Sequence, residues 1–197
     1  RIQAKLIGFL QPQAALQRLP ADGGIANRYG RAIARYRRGD LQGALTEIDS
    51  LLAAEPANPF FHELKGQMLL EGGDPAAARS SYVRAAELYP GEPTILVPLA
   101  QTLLASGSPA DLQAAVGYLQ QAIAAPRGAS PLAWRLLATA HGRRGEMGLA
   151  AVALAEEALA TGDRETARRQ ADRAARELPE GTAGWLRAQD VRRAAGG

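Results

Sequence analysis

The sequence predicts an all-α solenoid, a row of helix pairs stacked side by side. Three observations predict it. Gly39, Gly73 and Gly107 are spaced by 34 residues, and so are Pro56 and Pro90. Those glycines sit in three related phrases, RRGDLQGAL (37–45), EGGDPAAAR (71–79) and ASGSPADLQAA (105–115). The chain is 47% hydrophobic but only 5% aromatic, and Ala supplies much of the apolar content. That composition suits close helix–helix packing better than sheets, which favour branched and aromatic side chains. A fixed period of this length marks an architecture in which each unit buries its apolar face on the next.

Taken in order, RIQAKLIGFL and AALQRL within residues 1–24 predict helices that precede the array. The array is expected over 25–180, as about five helix pairs with one shared helix. Gly39, Gly73, Gly107 and Gly162 end the first helix of a pair, where a left-handed backbone is often needed. Asp40, Asp74, Ser108 and Asp163 follow as N-caps of the second helix. Pro75 and Pro109 take its first position, where the missing N–H costs nothing. Ala44, Ala78, Ala115 and Ala167 let that helix approach its partner, and Pro56, Pro90 and Pro179 stop it. Asn58-Pro59 and Ser130-Pro131 open first helices with the same cap-plus-proline logic. Pro98 falls inside a helix and predicts a local bend. The stretch SPA (108–110) reads as an insertion that lengthens the third turn. Gly145 and Gly162 are 17 residues apart, half a period. MGLAAVALAEEALA (147–160) is therefore expected to be the second helix of one pair and the first of the next. AGWLRAQDVRRA, within 181–197, closes the chain as a capping helix with its polar face outward.

Several chemistries are argued against by the same residues. FFHELKG (60–66) begins like the zinc-protease motif HExxH, but Gly66 stands where the second His is required. In the repeat frame His62 takes a bulky position and Gly66 a small one, so the stretch reads as a helix start and no metal ligands are assigned. His141, the other histidine of the chain, is expected to face the core. No nucleophile elbow, phosphate loop or dinucleotide fingerprint is present, so neither catalytic residues nor a cofactor are expected. Glu156-Glu157 read as solvated surface. DRETARRQADRAARE interleaves acids with arginines at helical spacing and reads as an exposed, ion-paired helix, not a nucleic-acid patch, because aromatic residues are missing from it. The net charge of +3 is small. Without cysteine there is no disulfide framework, which suits cytosol and periplasm equally. ILVPLA is too short to cross a bilayer, so no membrane insertion is expected. A chain starting at Arg1 without Met is expected to be an excised domain or processed product.

The Gly/Ala/Ala/Pro skeleton resembles the tetratricopeptide repeat, with Trp134-x-x-Leu137 and Trp185-Leu186 at its large-residue positions. That resemblance implies a right-handed superhelical solenoid binding an extended polypeptide on its concave face. By analogy the groove positions are Tyr29, Tyr36, Glu63, Gln67, Gln101, Arg135, Thr139 and Arg143. Tyr29, Ala32, Ile33 and Tyr36 fit a core face equally well if their helix lies one residue out of register. The carboxylate clamp of chaperone-tail repeat domains is disfavoured, since Tyr29 and Ile33 stand where its Lys and Asn belong. A narrower resemblance runs through RYGRAIARYRRGDL, NPFFHELKGQMLLEGGDPAAA, SPLAWRLLATAHGRRGEMGLA and LPEGTAGWLRAQD. It is to the C-terminal region of bacterial periplasmic zinc metalloproteases, the BepA-like family. The resemblance implies a non-catalytic module of an exported protease, packed on its own upstream peptidase domain and contacting substrates or outer-membrane assembly partners. The alternative is a free-standing repeat scaffold or co-chaperone-like adaptor with no protease attached.

Overall fold

Short turns and capped starts divide the chain into helical hairpins. A computed structural model describes residues 2–196 and holds twelve helices among them, with no strand among the described residues. The chain forms two compact units, Arg1–Pro90 and Gly91–Gly197. The first contains α1 (Ile2–Leu10), α2 (Pro12–Arg18), α3 (Ile25–Arg37), α4 (Leu41–Ala54), α5 (Pro59–Glu71) and α6 (Pro75–Leu88). The second contains α7 (Pro93–Ser106), α8 (Pro109–Ala124), α9 (Pro131–Arg143), α10 (Met147–Ala160), α11 (Arg164–Glu177) and α12 (Ala183–Gly196).

Local chemistry sets the helix ends as the sequence predicts. Gly39, Gly73, Gly107 and Gly162 adopt φ of 83°, 88°, 69° and 83°, a region that costs other residues about 1–2 kcal/mol. Asp40, Asp74 and Asp163 accept the backbone N–H of Gly43, Ala77 and Thr166 at 2.9, 2.9 and 3.0 Å. Ser108 accepts from Asp111 N–H at 3.1 Å and donates its own hydroxyl to the Asp111 carboxylate at 2.8 Å. Each cap satisfies a donor the helix leaves unpaired, worth about 1 kcal/mol. Asn58 and Ser130 cap α5 and α9 in the same way, each followed by Pro at the first position.

The stretch 108–110 acts differently from expectation. Two residues separate α7 from α8, against three between α3 and α4 or between α5 and α6. The extra residues lengthen the helix instead: α8 has 16 residues where α4 and α6 have 14. Pro109 takes the first helical position of α8, as Pro75 does in α6, and loses no hydrogen bond there. Helix α7 runs on through Pro98, which has no N–H to give to the preceding turn.

Packing within each unit follows the small residues. In the first, α3 packs on α1, α2 and α4, and α5 on α4 and α6. Ile33, Ile48, Leu64 and Met68 are nearly or fully buried at its centre. A Cβ on Gly66 would lie 2.8–2.9 Å from ring carbons of Tyr82, so the small position expected of Gly66 is the seat of an aromatic ring from α6. His62 bonds the Pro56 carbonyl at 2.9 Å, an ordinary helix-start contact. In the second unit α10 packs on α9, α11 and α12. The core there is built from alanines: Ala155, Ala167, Ala171, Ala174 and Ala188 have no exposed surface. Val191 from α12 is buried with them.

Candidate functional site

Each unit presents a pair of first helices, and the predicted groove residues separate into two groups. Tyr29, Tyr36, Glu63 and Gln67 lie on α3 and α5, and Gln101, Arg135, Thr139 and Arg143 on α7 and α9.

In the first group Tyr29 belongs to the core. It is 6% exposed, and its ring centroid is 5.2 Å from that of Phe61. Ala32 and Ile33 are fully buried beside it, so of the two readings left open for this helix face the core reading holds for these three. The groove placement of Tyr29 is thereby corrected: an aromatic ring of that size gains more from burial than from display. Tyr36, one helical stripe on, stays half-exposed. Its hydroxyl donates to Glu71, whose other carboxylate oxygen accepts from Gln67 Nε2 at 2.9 Å. Glu71 thus joins two predicted positions, 35 residues apart in the case of Tyr36. Burial, and then the Glu71 carboxylate, push the Tyr36 phenol well above its usual range. Burial, and then the charges of Glu63 and Glu71, do the same for Tyr82. These phenols therefore stay protonated donors throughout the neutral range. A concavity of about 370 Å³ lined by Tyr36, Arg37, Leu41 and Glu71 opens at this point.

The second group shares a stripe. Arg135, Thr139 and Arg143 are exposed at successive turns of α9, and Gln101 is exposed on α7. Arg135 Nε donates to Glu157 of α10 at 2.7 Å, and Thr139 donates to the Arg135 carbonyl at 3.0 Å. Arg143 Nη1 donates to the Leu104 carbonyl at 2.5 Å, closing one of the carbonyls that α7 leaves open at its C-terminus. Arg143 therefore ties α9 to α7 while keeping an exposed guanidinium edge.

Two acids were expected to be solvated and are not. Glu156 is 7% exposed and accepts from Arg187 of α12, and Glu157 pairs with Arg135. The α10 carboxylates are held because α9 and α12 flank that helix with long cationic side chains, a contact that no local pattern reveals. The Arg187 guanidinium also lies 5.9 Å from the Trp134 ring centroid, at the edge of an apolar cleft of about 410 Å³ lined by Ile123, Leu137 and Val152. His141 faces this interior as expected, 5% exposed, with Nδ1 2.6 Å from Glu146.

Glu146 receives donors from Arg144 at 3.0 and 2.7 Å. Those bonds, and then His141, lower its pKa from 4.5 to about 2. A carboxylate depressed in the folded state contributes stability that is present above its unfolded pKa and lost as pH falls through the folded value. The expected result is a melting temperature that declines between about pH 4.5 and 2. Glu146→Gln removes part of that decline in a pH series of thermal melts. An identical slope in the variant refutes the assignment.

Residues 29–93 match the family model for the tetratricopeptide repeat, a span that takes in most of α3 and all of α4 to α6. No curated protein matches the chain. Among solved structures, MamA of Desulfovibrio magneticus RS-1 is similar, with a TM-score of 0.64 and 18% identity over 87% of this chain and 97% of that one. PilW, a type IV pilus biogenesis factor, gives a TM-score of 0.57 and 16% identity over 89% of this chain and 88% of that one. YrrB, described as a repeat protein with an unusual peptide-binding site, gives 0.57 and 13% over 92% and 99%. At these identities the likeness is one of fold: the chain is an all-helical array of the tetratricopeptide type.

Proposed function

We propose that this chain is a non-catalytic polypeptide-binding module, with Tyr36, Gln67 and Glu71 as one recognition patch and Arg135, Thr139 and Arg143 as another. The observation that carries the reading is the convergence of Tyr36 and Gln67 on Glu71. It places hydroxyl, amide and carboxylate groups together on adjoining first helices, the element with which repeats of this type meet extended partners. Polar groups held in fixed geometry make productive anchors, since less entropy is lost when a partner meets them. Repeat modules commonly spread affinity over many modest contacts around a few aromatic or Arg anchors.

The test is a displayed random-peptide library panned against the chain, with retained peptides titrated against Glu71→Ala and Arg143→Ala. Affinity is expected to fall about tenfold per substitution, the equivalent of 1.4 kcal/mol. Arg143→Ala also loses the tie to Leu104, so its melting temperature is measured alongside. Unchanged affinities in both variants sink the groove assignment.

The finer reading is a module of an exported zinc-dependent metalloprotease, periplasmic, which positions substrate or outer-membrane assembly partners for an upstream peptidase domain. What supports it is the set of phrases in RYGRAIARYRRGDL, SPLAWRLLATAHGRRGEMGLA and LPEGTAGWLRAQD, including the half-period helix. The free-standing scaffold is favoured by a different observation: the match covers 97% of the MamA chain and 99% of the YrrB chain. Sequencing the gene upstream of the Arg1 codon separates the two. An export signal and an HExxH segment support the protease module, and their absence supports the scaffold.

A further inference from the structure

Helices α11 and α12 approach closely because Ala167, Ala171 and Ala174 face Ala188 and Val191. Small residues at the seam leave the long side chains on its rim to stand over it, and Arg168, Asp172, Gln189, Arg192 and Arg193 line a cleft of about 370 Å³ there. Three guanidinium groups thus share one wall-to-wall space with one carboxylate. Asp172 is engaged by Arg192 Nε at 2.7 Å. Gln189 accepts from Arg192 Nη1 at 3.1 Å. Arg193 is tethered through Nη2 to Asp190, which lies outside the cleft lining. Among the described residues Arg168 has no ion-pair partner. The donors left over are Nη2 and one N–H of Nη1 on Arg192, Nε, Nη1 and one N–H of Nη2 on Arg193, and all five N–H groups of Arg168.

The outer face of α11 differs. There Arg169 pairs with Glu165 at 3.4 Å and Arg173 with Glu177 at 2.8 Å, each one turn apart. Those two pairs run along α11 itself, whereas the arginines lining the cleft reach toward α12 and keep surplus donors.

We propose that this cleft is an anion subsite that takes carboxylate side chains of an acidic polypeptide segment. Planar guanidinium groups bind carboxylates through paired N–H donors, and the surplus donors of three arginines border a single space. A polypeptide is the better match than nucleic acid for two reasons. No aromatic ring lines the cleft, so bases have nothing to stack on. Asp172 and Asp190 alternate with the arginines, which disfavours a continuous phosphate chain but leaves room for isolated carboxylates. The site is separate from the groove residues on α7 and α9.

The experiment is fluorescence anisotropy of the whole chain with a fluorescein-labelled oligoglutamate peptide, an oligoglutamine peptide and a single-stranded oligodeoxynucleotide. The acidic peptide is expected to bind at low salt, to release as salt rises to about 0.3 M, where the screening length falls well below 10 Å, and to exceed both other probes. Arg168→Ala combined with Arg193→Ala is expected to weaken it about tenfold, with helical circular dichroism unchanged. Arg168→Gln alone, at an exposed side chain, is the second variant should the double one lose structure, and a severalfold loss is expected from it. Arg84→Ala, at an exposed arginine of α6 that lines neither patch nor cleft, is expected to leave this binding unaltered. No acidic-peptide binding at low salt, equal binding by Arg168→Gln and wild type, or tighter binding of the oligonucleotide each overturns the proposal.

Discussion

Gly128→Ala is expected to destabilise the second unit by about 3 kcal/mol or more. A Cβ at this position would lie 1.7 Å from the Ala122 carbonyl oxygen and 3.1 Å from Pro93 Cγ. The clashing atom is backbone at the end of α8, so no side chain can swing aside. The backbone cannot move freely either. Ala122 O accepts from Ala125 N at 3.1 Å, Gly128 N donates to Ala125 O at 2.9 Å, and Ser130 N donates to Gly128 O at 2.8 Å. Opening the loop would break bonds that hold it to α8 and would displace Ser130, the cap of α9. Gly117→Ala is the matched control. It sits inside α8 with nothing within 4 Å of an added Cβ, and it should gain roughly 0.5–1 kcal/mol from the better helix former. Thermal melts of the two variants should therefore move in opposite directions, the first downward by roughly 6–12 °C. A Gly128→Ala melt at or above wild type would refute the close approach.

How far the sequence spoke depended on the range of each interaction. Helix ends were legible because their determinants are local. Asp40 and Gly43, or Ser108 and Asp111, are three residues apart, and the chemistry of a cap is complete within that span. Features decided by contacts between helices were less so. Tyr29 reads equally as groove or core until Phe61 is seen to meet it, 32 positions further on. Glu71 gave no signal as a site residue because what recruits it is Tyr36, a full repeat earlier. Glu156 and Arg187 are 31 residues apart, and only the packing of α12 on α10 brings them into register. The insertion at 108–110 was visible, but no local signal separated a longer turn from the longer helix α8 that forms. Period and capping therefore specify the array, while the side chains that distinguish one groove from another are set by contacts about one repeat apart.

Gly66→His provides the sharpest test of that separation. The substitution completes HExxH on α5 from His62, Glu63 and position 66, and by motif alone it should create a zinc site. The packing predicts failure. Position 66 is buried, and an added Cβ already falls 2.8–2.9 Å from three ring carbons of Tyr82, which is itself 1% exposed. An imidazole has no room unless the ring leaves the seam between α5 and α6. His62 is occupied too, since its Nε2 bonds the Pro56 carbonyl. The expected cost is about 3 kcal/mol, seen as a fall in melting temperature of roughly 6–12 °C, with no stoichiometric zinc retained after dialysis. Gly66→Ala gives the sign check: intrinsic propensity favours Ala in a helix by about 1 kcal/mol, whereas the Tyr82 contact predicts a net loss. A variant Gly66→His that keeps the wild-type melting temperature and holds one zinc would show that the glycine was never needed for helix contact. It would also restore the metal reading of FFHELKG.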